Sequence, residues 1–460
     1  VAARLPPDKT QGTPARRTPS EFSTARLEAF DAAWRLKVLP NGMTAVHVPT
    51  EGDQFYIGVT IRAGSRAESP DLTGIAHFLE HMMFRGSRKY PEFTALAEAF
   101  EWLGGEWNAA TGYDHTEYWY SGIRHTAAES IELFAEFMTH PAFGNIEVER
   151  HIIQRELDGE MNDHGHSTDL DYHIAMQLWP GSPVARPILG SPETLEKIQV
   201  EALRAHRDRL YTPPNMAVCV VSADDSDVIL ALLERAFGNY RAESAEAVTN
   251  AYIPFATKPG PHAKWIEHSD NEYEIQLSFA TDGQWSDDAP ALEILARIMS
   301  DGFCARLTRR LREELGLVYD VSCQENLGID HGSIDINAAC SQEQLDEFLR
   351  ELTALLHQFA KQGPNTDEVE RAKLRTIVGL ELSAGRPDEI APRLCWSHLC
   401  GRPFSLMKER EKLLAVTTAD VARVAKQVLR QERAALAVLG PQSDNIEVRI
   451  KKALTSGLPK

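Results

Sequence analysis

Apolar side chains at Ile75, Phe78, Leu79, Met82 and Met83 recur at steps of three and four, the signature of a helix with one buried stripe. Asp71 or Thr73 can cap its start, and Gly86 suits its end. Other segments alternate instead. Gln54-Phe-Tyr-Ile-Gly-Val-Thr-Ile-Arg62 and Glu272-Tyr-Glu-Ile-Gln-Leu-Ser-Phe279 read as strands, with longer segments of helical period between them. Residues 1–34 carry several prolines and little apolar periodicity, which predicts an N-terminal extension. Ala, Glu, Lys, Pro and Gly collect in 241–261, the expected linker between a first domain at 35–240 and a second at 262–460.

A chain of 460 residues is long enough for two or three domains, and an internal echo favours two. Glu147-Val-Glu-Arg returns as Glu368-Val-Glu-Arg371, and Met82-Met-Phe-Arg-Gly86 can be laid on Ile298-Met-Ser-Asp-Gly302 at a similar offset.

The helix at 75–83 carries His77 and His81 off its apolar stripe, with Glu80 directly before the second histidine. Positions four apart share a helix face, so both imidazoles can bind one metal ion while Glu80 stands beside it as a base. With 16 His and 67 acidic residues in the chain, chance placement yields about 0.08 such patterns. Incidental surface histidines are therefore a poor account. A hydrolytic zinc site needs one more protein ligand and an open position, and for this motif order the ligand is a distant carboxylate. Glu149, Ile153, Glu156 and Glu160 fall near one face of a second predicted helix. Periodicity does not choose between Glu156 and Glu160, and a solvated acidic face is the plain reading for most of these residues.

His77-Phe-Leu-Glu-His-Met-Met-Phe-Arg-Gly-Ser87, followed by Glu149-Arg-His-Ile-Ile-Gln-Arg-Glu156, resembles the pitrilysin family of inverzincin peptidases, which includes insulysin and the mitochondrial processing peptidase. The resemblance implies one zinc ion per chain held by His77, His81 and Glu156, with Glu80 as the base. It implies that Glu149 orients a ligand and leaves Glu160 in an outer or exposed role. Asn108-Ala-Ala-Thr-Gly-Tyr-Asp-His-Thr-Glu-Tyr118 resembles the segment leading into a substrate-binding edge strand, where Asn108 and Ala109 would contact peptide backbone. Tyr211-Thr-Pro-Pro-Asn-Met216 resembles the turn before the last strand of the first domain. Arg312 and Tyr319, seven apart, match the pair that lines the far wall of the site. Asp301, Phe303 and Cys304 interrupt a run that is glycine-rich in many family members.

The fold so implied is α+β, with two homologous domains that are each a β-sheet packed with helices and together form half of a clamshell chamber. In the second copy, the positions facing His77, Glu80, His81 and Glu156 would be Glu293, Ala296, Arg297 and Ile377, which cannot hold a metal. His164 and His166 lie just beyond the ligand helix without a ligand pattern around them, as expected of a solvated loop.

The formal charge of −19 disfavours nucleic acid as a partner, and no apolar run approaches a membrane span. Six cysteines, at 219, 304, 323, 340, 395 and 400, lack Cys-x-x-Cys spacing and read as scattered core residues. The first residue, Val1, suggests a removed segment. The location this favours is the periplasm, with bacterial cytoplasm or mitochondrial matrix as alternatives. The expected activity is zinc-dependent hydrolysis of short, extended or unfolded peptides by a homodimer. Its rivals are the catalytic subunit of a heterodimer with a paralogous partner and a noncatalytic zinc-containing scaffold.

Overall fold

The computed structural model describes residues 18–241 and 257–460. Most of the expected linker and the first half of the expected extension lie outside them.

Six strands form the first sheet: β1 (Arg35–Val38), β2 (Thr44–Pro49), β3 (Gln54–Ile61), β4 (Glu106–Thr111), β5 (Thr116–Ile123) and β6 (Met216–Ser222), in the order β1-β2-β6-β3-β5-β4. Five form the second: β7 (His262–Glu267), β8 (Glu272–Thr281), β9 (Val321–Leu327), β10 (Gly332–Ser341) and β11 (Ala434–Gly440), in the order β7-β11-β8-β10-β9. Without β1, the two orders are the same connectivity. β2 runs parallel to β6 as β7 runs parallel to β11, and the other pairs are antiparallel. The chain is thus two homologous α+β domains, and the helix Ala289–Ser300 follows β8 as the helix Ile75–Met83 follows β3.

Each sheet is buried on both faces, which explains why the alternation in β3 is weak. Phe55, Ile57, Val59 and Ile61 share a core with Phe78, Leu79 and Met82 of the helix Ile75–Met83. Tyr56, Cys219 and Val221 point the other way, into a core shared with Ile390, Leu394 and Cys395 of the helix Pro387–Leu399. The exchange is reciprocal. Helix Leu170–Leu178, from the first half of the chain, lays Ile174, Ala175 and Leu178 against Ala435, Ala437 and Leu439 of β11. Apolar area of this kind contributes about 25 cal/mol per Å², so the domains are joined by core packing as well as by polar contacts.

The described part of the N-terminal segment is docked. In the helix Ala25–Ala33, Leu27 and Phe30 are buried in the second domain's core. Asp31 accepts from the backbone N–H groups of Leu406 and Met407, capping the helix Leu406–Ala415. Two apolar anchors and one carboxylate hold this helix, too few to leave a periodic trace in the sequence.

Candidate metal centre

The helix bearing both histidines begins after Gly74, whose φ of +95° needs glycine and whose Cα side faces the Gly190 backbone too closely for a Cβ. Neither Asp71 nor Thr73 caps it, contrary to the sequence reading. Thr73 donates to the Pro70 carbonyl, while the Glu68 carboxylate accepts from Gly74 N at 3.0 Å and Ala76 N at 2.9 Å. A chain that turns through Gly74 carries its own side chains past the helix end, so a residue six positions earlier supplies the acceptor. Burial pushes Glu68 up to about 8, against the pull of those two N–H groups and the Arg186 charge.

His77, His81 and Glu156 come together so that one ligand atom from each lies within 4.8 Å of the others. The Glu156 carboxylate is 3.9 Å from His77 Nε2 and 3.7 Å from His81 Nε2. Ligands of a tetrahedral zinc stand about 3.4 Å apart, from metal–ligand distances near 2.1 Å, so small adjustments close the site. Glu156 belongs to the helix Ile146–Gly159, whose Ile153 is buried in the first core, and Glu160 caps its end and lines the adjoining cavity. Burial and the neighbouring His81 hold His77 low, at about 3, so it is a neutral imidazole. Burial alone would lower His81, but the hydrogen bond and charge of Glu149, with Glu80 and Glu156, raise it.

Glu149 is 5% exposed and lies 3.0 Å from His81 Nδ1, which leaves Nε2 turned toward Glu156. Its other carboxylate oxygen is ion-paired with Arg85. The sequence reading gave no role to Arg85, which lies just past the end of the helix, where no periodic rule selects it.

Glu80 is buried beside this cluster and its carboxyl is raised, by burial first and by Glu156, with Thr111 and His81 opposing. Thr111 donates its hydroxyl to Glu80 Oε2. Thr111 was also overlooked, though period-two spacing puts it on the same face of β4 as Ala109. Among the described residues β4 pairs only with β5 and is therefore an edge strand. Gly112 N donates to His115 O, so by alternation Asn108 and Ala110 also direct their N–H groups to β5, while Ala109 directs its own to the open edge. That outward N–H is held by the Asn108 side-chain oxygen at 2.9 Å.

The cluster opens into a cavity of about 840 Å³. Ala109, Ala110 and Thr111 line it from the first domain, and Lys264, Trp265 and Glu267 from the second. His164 and His166 also line it, on a loop folded around Asn162. The Asn162 side chain accepts from both histidine N–H groups and donates to the Glu267 carbonyl. Neither histidine joins a metal-capable group among the described residues. Arg312 and Tyr319 are not part of this cavity. They lie together elsewhere on the second domain, the guanidinium 5.5 Å from the tyrosine ring, with Tyr319 88% exposed.

Where the second domain repeats the motif helix, Arg297 pairs with Glu293 at 3.6 Å and with Asp301 at 3.0 Å. Ala296 and Ile377 are buried there, so an ion-pair cluster occupies the repeated position. Cys219, Cys323, Cys340 and Cys395 are buried, Cys400 is half-buried and Cys304 is exposed, all as free thiols. No helix among the described residues is long and apolar enough to cross a membrane.

Comparison with known proteins agrees with this architecture. A family profile described as Insulinase (Peptidase family M16) matches residues 45–192, and one described as Peptidase M16 inactive domain matches residues 197–375. An uncharacterized zinc protease of Mycobacterium tuberculosis is 28% identical over 415 residues, spanning 88% of this chain and 91% of that protein. The uncharacterized zinc protease YmxG of Bacillus subtilis is 25% identical over 393 residues, 84% of this chain and 93% of its own. A protease from Helicobacter pylori has a similar crystal structure, with a TM-score of 0.82 at 20% identity over 89% of this chain and 99% of that one. The periplasmic protease PqqL of Escherichia coli gives a TM-score of 0.73 at 21% identity over 93% of this chain but 50% of its own. Matched in both of its sheet-bearing halves, the chain belongs to the insulinase, or M16, peptidase family.

Proposed function

We propose that the chain is a zinc-dependent endopeptidase acting on short, extended or unfolded peptides. The observation that carries this reading is the convergence of His77, His81 and Glu156 beside a buried Glu80, at the end of an open sheet edge. Two imidazole nitrogens and one carboxylate oxygen are the donor set of a catalytic zinc with a free position. His77 is held neutral, and His81 is turned by Glu149 so that Nε2 faces the other donors. Zinc held there would supply a Lewis acid that polarises a carbonyl and makes a water acidic.

The remaining work falls to the chain's own groups. Thr111 occupies Glu80 Oε2, which leaves Oε1 to accept the proton of an attacking water and pass it to the departing nitrogen. A peptide laid along β4 as an added strand would take the outward N–H of Ala109 once the Asn108 side chain swings away. Backbone hydrogen bonds read no side chains, so preference among sequences would be modest. Substrates must be extended to present an unpaired edge.

A homodimer is the assembly we propose. Tyr319 stands exposed and Arg312 half-buried beside it, both away from their own chain's cavity, so the tyrosine can meet the metal centre of a second copy. The chain also matches only half the length of the Escherichia coli protease, and symmetric pairing is the commonest way for identical chains to associate. The similar fold of a periplasmic Escherichia coli protease supports, for this chain too, a proposed periplasmic location.

Digestion of an unstructured peptide library by zinc-loaded protein, with and without chelator and read by mass spectrometry, tests the activity. Cleavage that chelator abolishes and zinc restores is expected. No cleavage of any peptide would leave a noncatalytic zinc-containing scaffold.

A further inference from the structure

We propose that the second domain positions the catalytic base of the first through an ion-pair latch, in which Asp330 holds Arg66 while the Ile329 amide holds Asp114, and together they fix the turn that follows Thr111. The proposal rests on the peptidase reading for its catalytic consequence, but the coupling itself is a separate matter of structure. Asp330 lies in the turn between β9 and β10 and takes Arg66 in a fork, Nη1 to Oδ1 at 3.0 Å and Nη2 to Oδ2 at 3.1 Å. The same Nη1 reaches Asp114 Oδ1 at 2.7 Å, and Asp114 Oδ2 accepts from Ile329 N at 3.0 Å. Two turns of one domain are thereby tied by charge-assisted bonds to a turn of the other. Arg66 and Asp114 are nearly buried, with side chains 11% and 8% exposed.

The path from this latch to the base is short and covalently stiff. Arg66 sits in the turn Ser65–Ala67, whose backbone is bonded to the β4–β5 turn through Ser65 N to Gly112 O at 3.0 Å and Arg66 N to Tyr113 O at 3.1 Å. The approach is so close that a Cβ at Gly64 would lie 2.3 Å from the Gly112 carbonyl. Gly112 follows Thr111, and Thr111 donates to Glu80. A small displacement of the β4–β5 turn would move this donor and the end of the edge strand together.

The latch is poorly explained as glue. The domains already share apolar cores on two sheet faces, and an ion pair whose Asp330 side chain is 29% exposed is weak evidence for stability because screening and desolvation offset much of its attraction. What directional, charge-assisted bonds add is geometry. Arg66, Asp114 and Asp330 are accordingly positioning residues, touching neither metal ligands nor substrate.

The test is Asp330→Asn, which keeps the shape of the turn and removes one charge, with Asp330→Glu to restore the charge and Arg66→Lys as a second variant should the first fold poorly. Amide hydrogen exchange of Ala110 and Gly112 reads the coupling without reference to activity. Losing a hydrogen bond to a charged group corresponds to about tenfold. We expect roughly tenfold faster exchange at these amides, with the core strands of the second domain unchanged. kcat should fall by a similar factor with KM changed less than about threefold and zinc content intact, and Asp330→Glu should recover part of both. Unchanged exchange at Ala110 and Gly112 overturns the latch, as does faster exchange spread evenly through the second domain. Faster exchange with unchanged kcat refutes its catalytic role. If the wild-type protein cleaves nothing, the peptidase reading has failed, and the exchange data alone decide the coupling.

Discussion

Replacing Glu149 by glutamine would separate the ligands from the groups that orient them. Glu149 never reaches the metal position; its carboxylate meets His81 Nδ1 at 3.0 Å and is ion-paired with Arg85. Glutamine keeps the volume of a side chain that is 5% exposed, so no cavity forms. It offers one neutral oxygen to two donors that share a carboxylate in the wild type. His81 loses a charge-assisted partner, and hydrogen bonds to ions are about twice as strong as neutral ones. Outer partners of this kind typically account for 10- to 100-fold in metal affinity. Because an acceptor survives, the lower part of that range applies, and zinc should bind about 10- to 30-fold more weakly, or about 1.4 to 2 kcal/mol. Competition against a fluorescent chelator near pH 7.5 measures this directly. An affinity within twofold of wild type would mean that Glu149 serves Arg85 alone and that something else turns His81.

Thr111→Val removes the donor to Glu80 Oε2 and should lower kcat by about tenfold, the size of one lost hydrogen bond to a charged group, with zinc content unchanged in metal analysis. The affinity for zinc should also fall with pH in a specific way. His81 is raised above its ordinary value, so its proton must leave before metal binds, whereas His77 at about 3 carries none above pH 4. Titrations across pH 8 to 5 should therefore approach about tenfold per pH unit on the acid side, one proton released per zinc; a slope of two protons would show that His77 is not neutral. For the proposed dimer, Glu80→Gln and Tyr319→Phe chains, each nearly inactive alone, should complement when mixed and exchanged. Half the dimers are then mixed and each holds one intact site of two, so about a quarter of wild-type activity should return, and no recovery despite proven exchange would place both groups in one chain's site.

The proposed metal cluster was largely legible in the sequence because most of it resides in local spacing: His77, Glu80 and His81 share one helix, and helix geometry alone brings them together. Periodicity left Glu156 and Glu160 as candidates for the proposed ligand, and of the two it is Glu156 whose carboxylate lies near both imidazoles, while Glu160 caps the helix. The cap of the motif helix was misread because Gly74 turns the chain through a left-handed conformation, so the acceptor comes from Glu68, which no local rule selects. Both sheets were visible as strands, yet not the exchange of helices between them. The burial of Tyr56 and Cys219 depends on Pro387–Leu399, far away in the chain. Ion pairs such as Arg66 with Asp330, 264 residues apart, leave no pattern at all.

Zinc content and peptide turnover measured on the same preparations of wild type, Glu80→Gln and Glu156→Gln test the central claim most directly. The account predicts that Glu80→Gln keeps its zinc and loses turnover, while Glu156→Gln loses zinc and turnover together, with Glu160→Gln close to wild type in both. Zinc retained by Glu156→Gln but lost from Glu160→Gln, or undiminished turnover in Glu80→Gln, would contradict it.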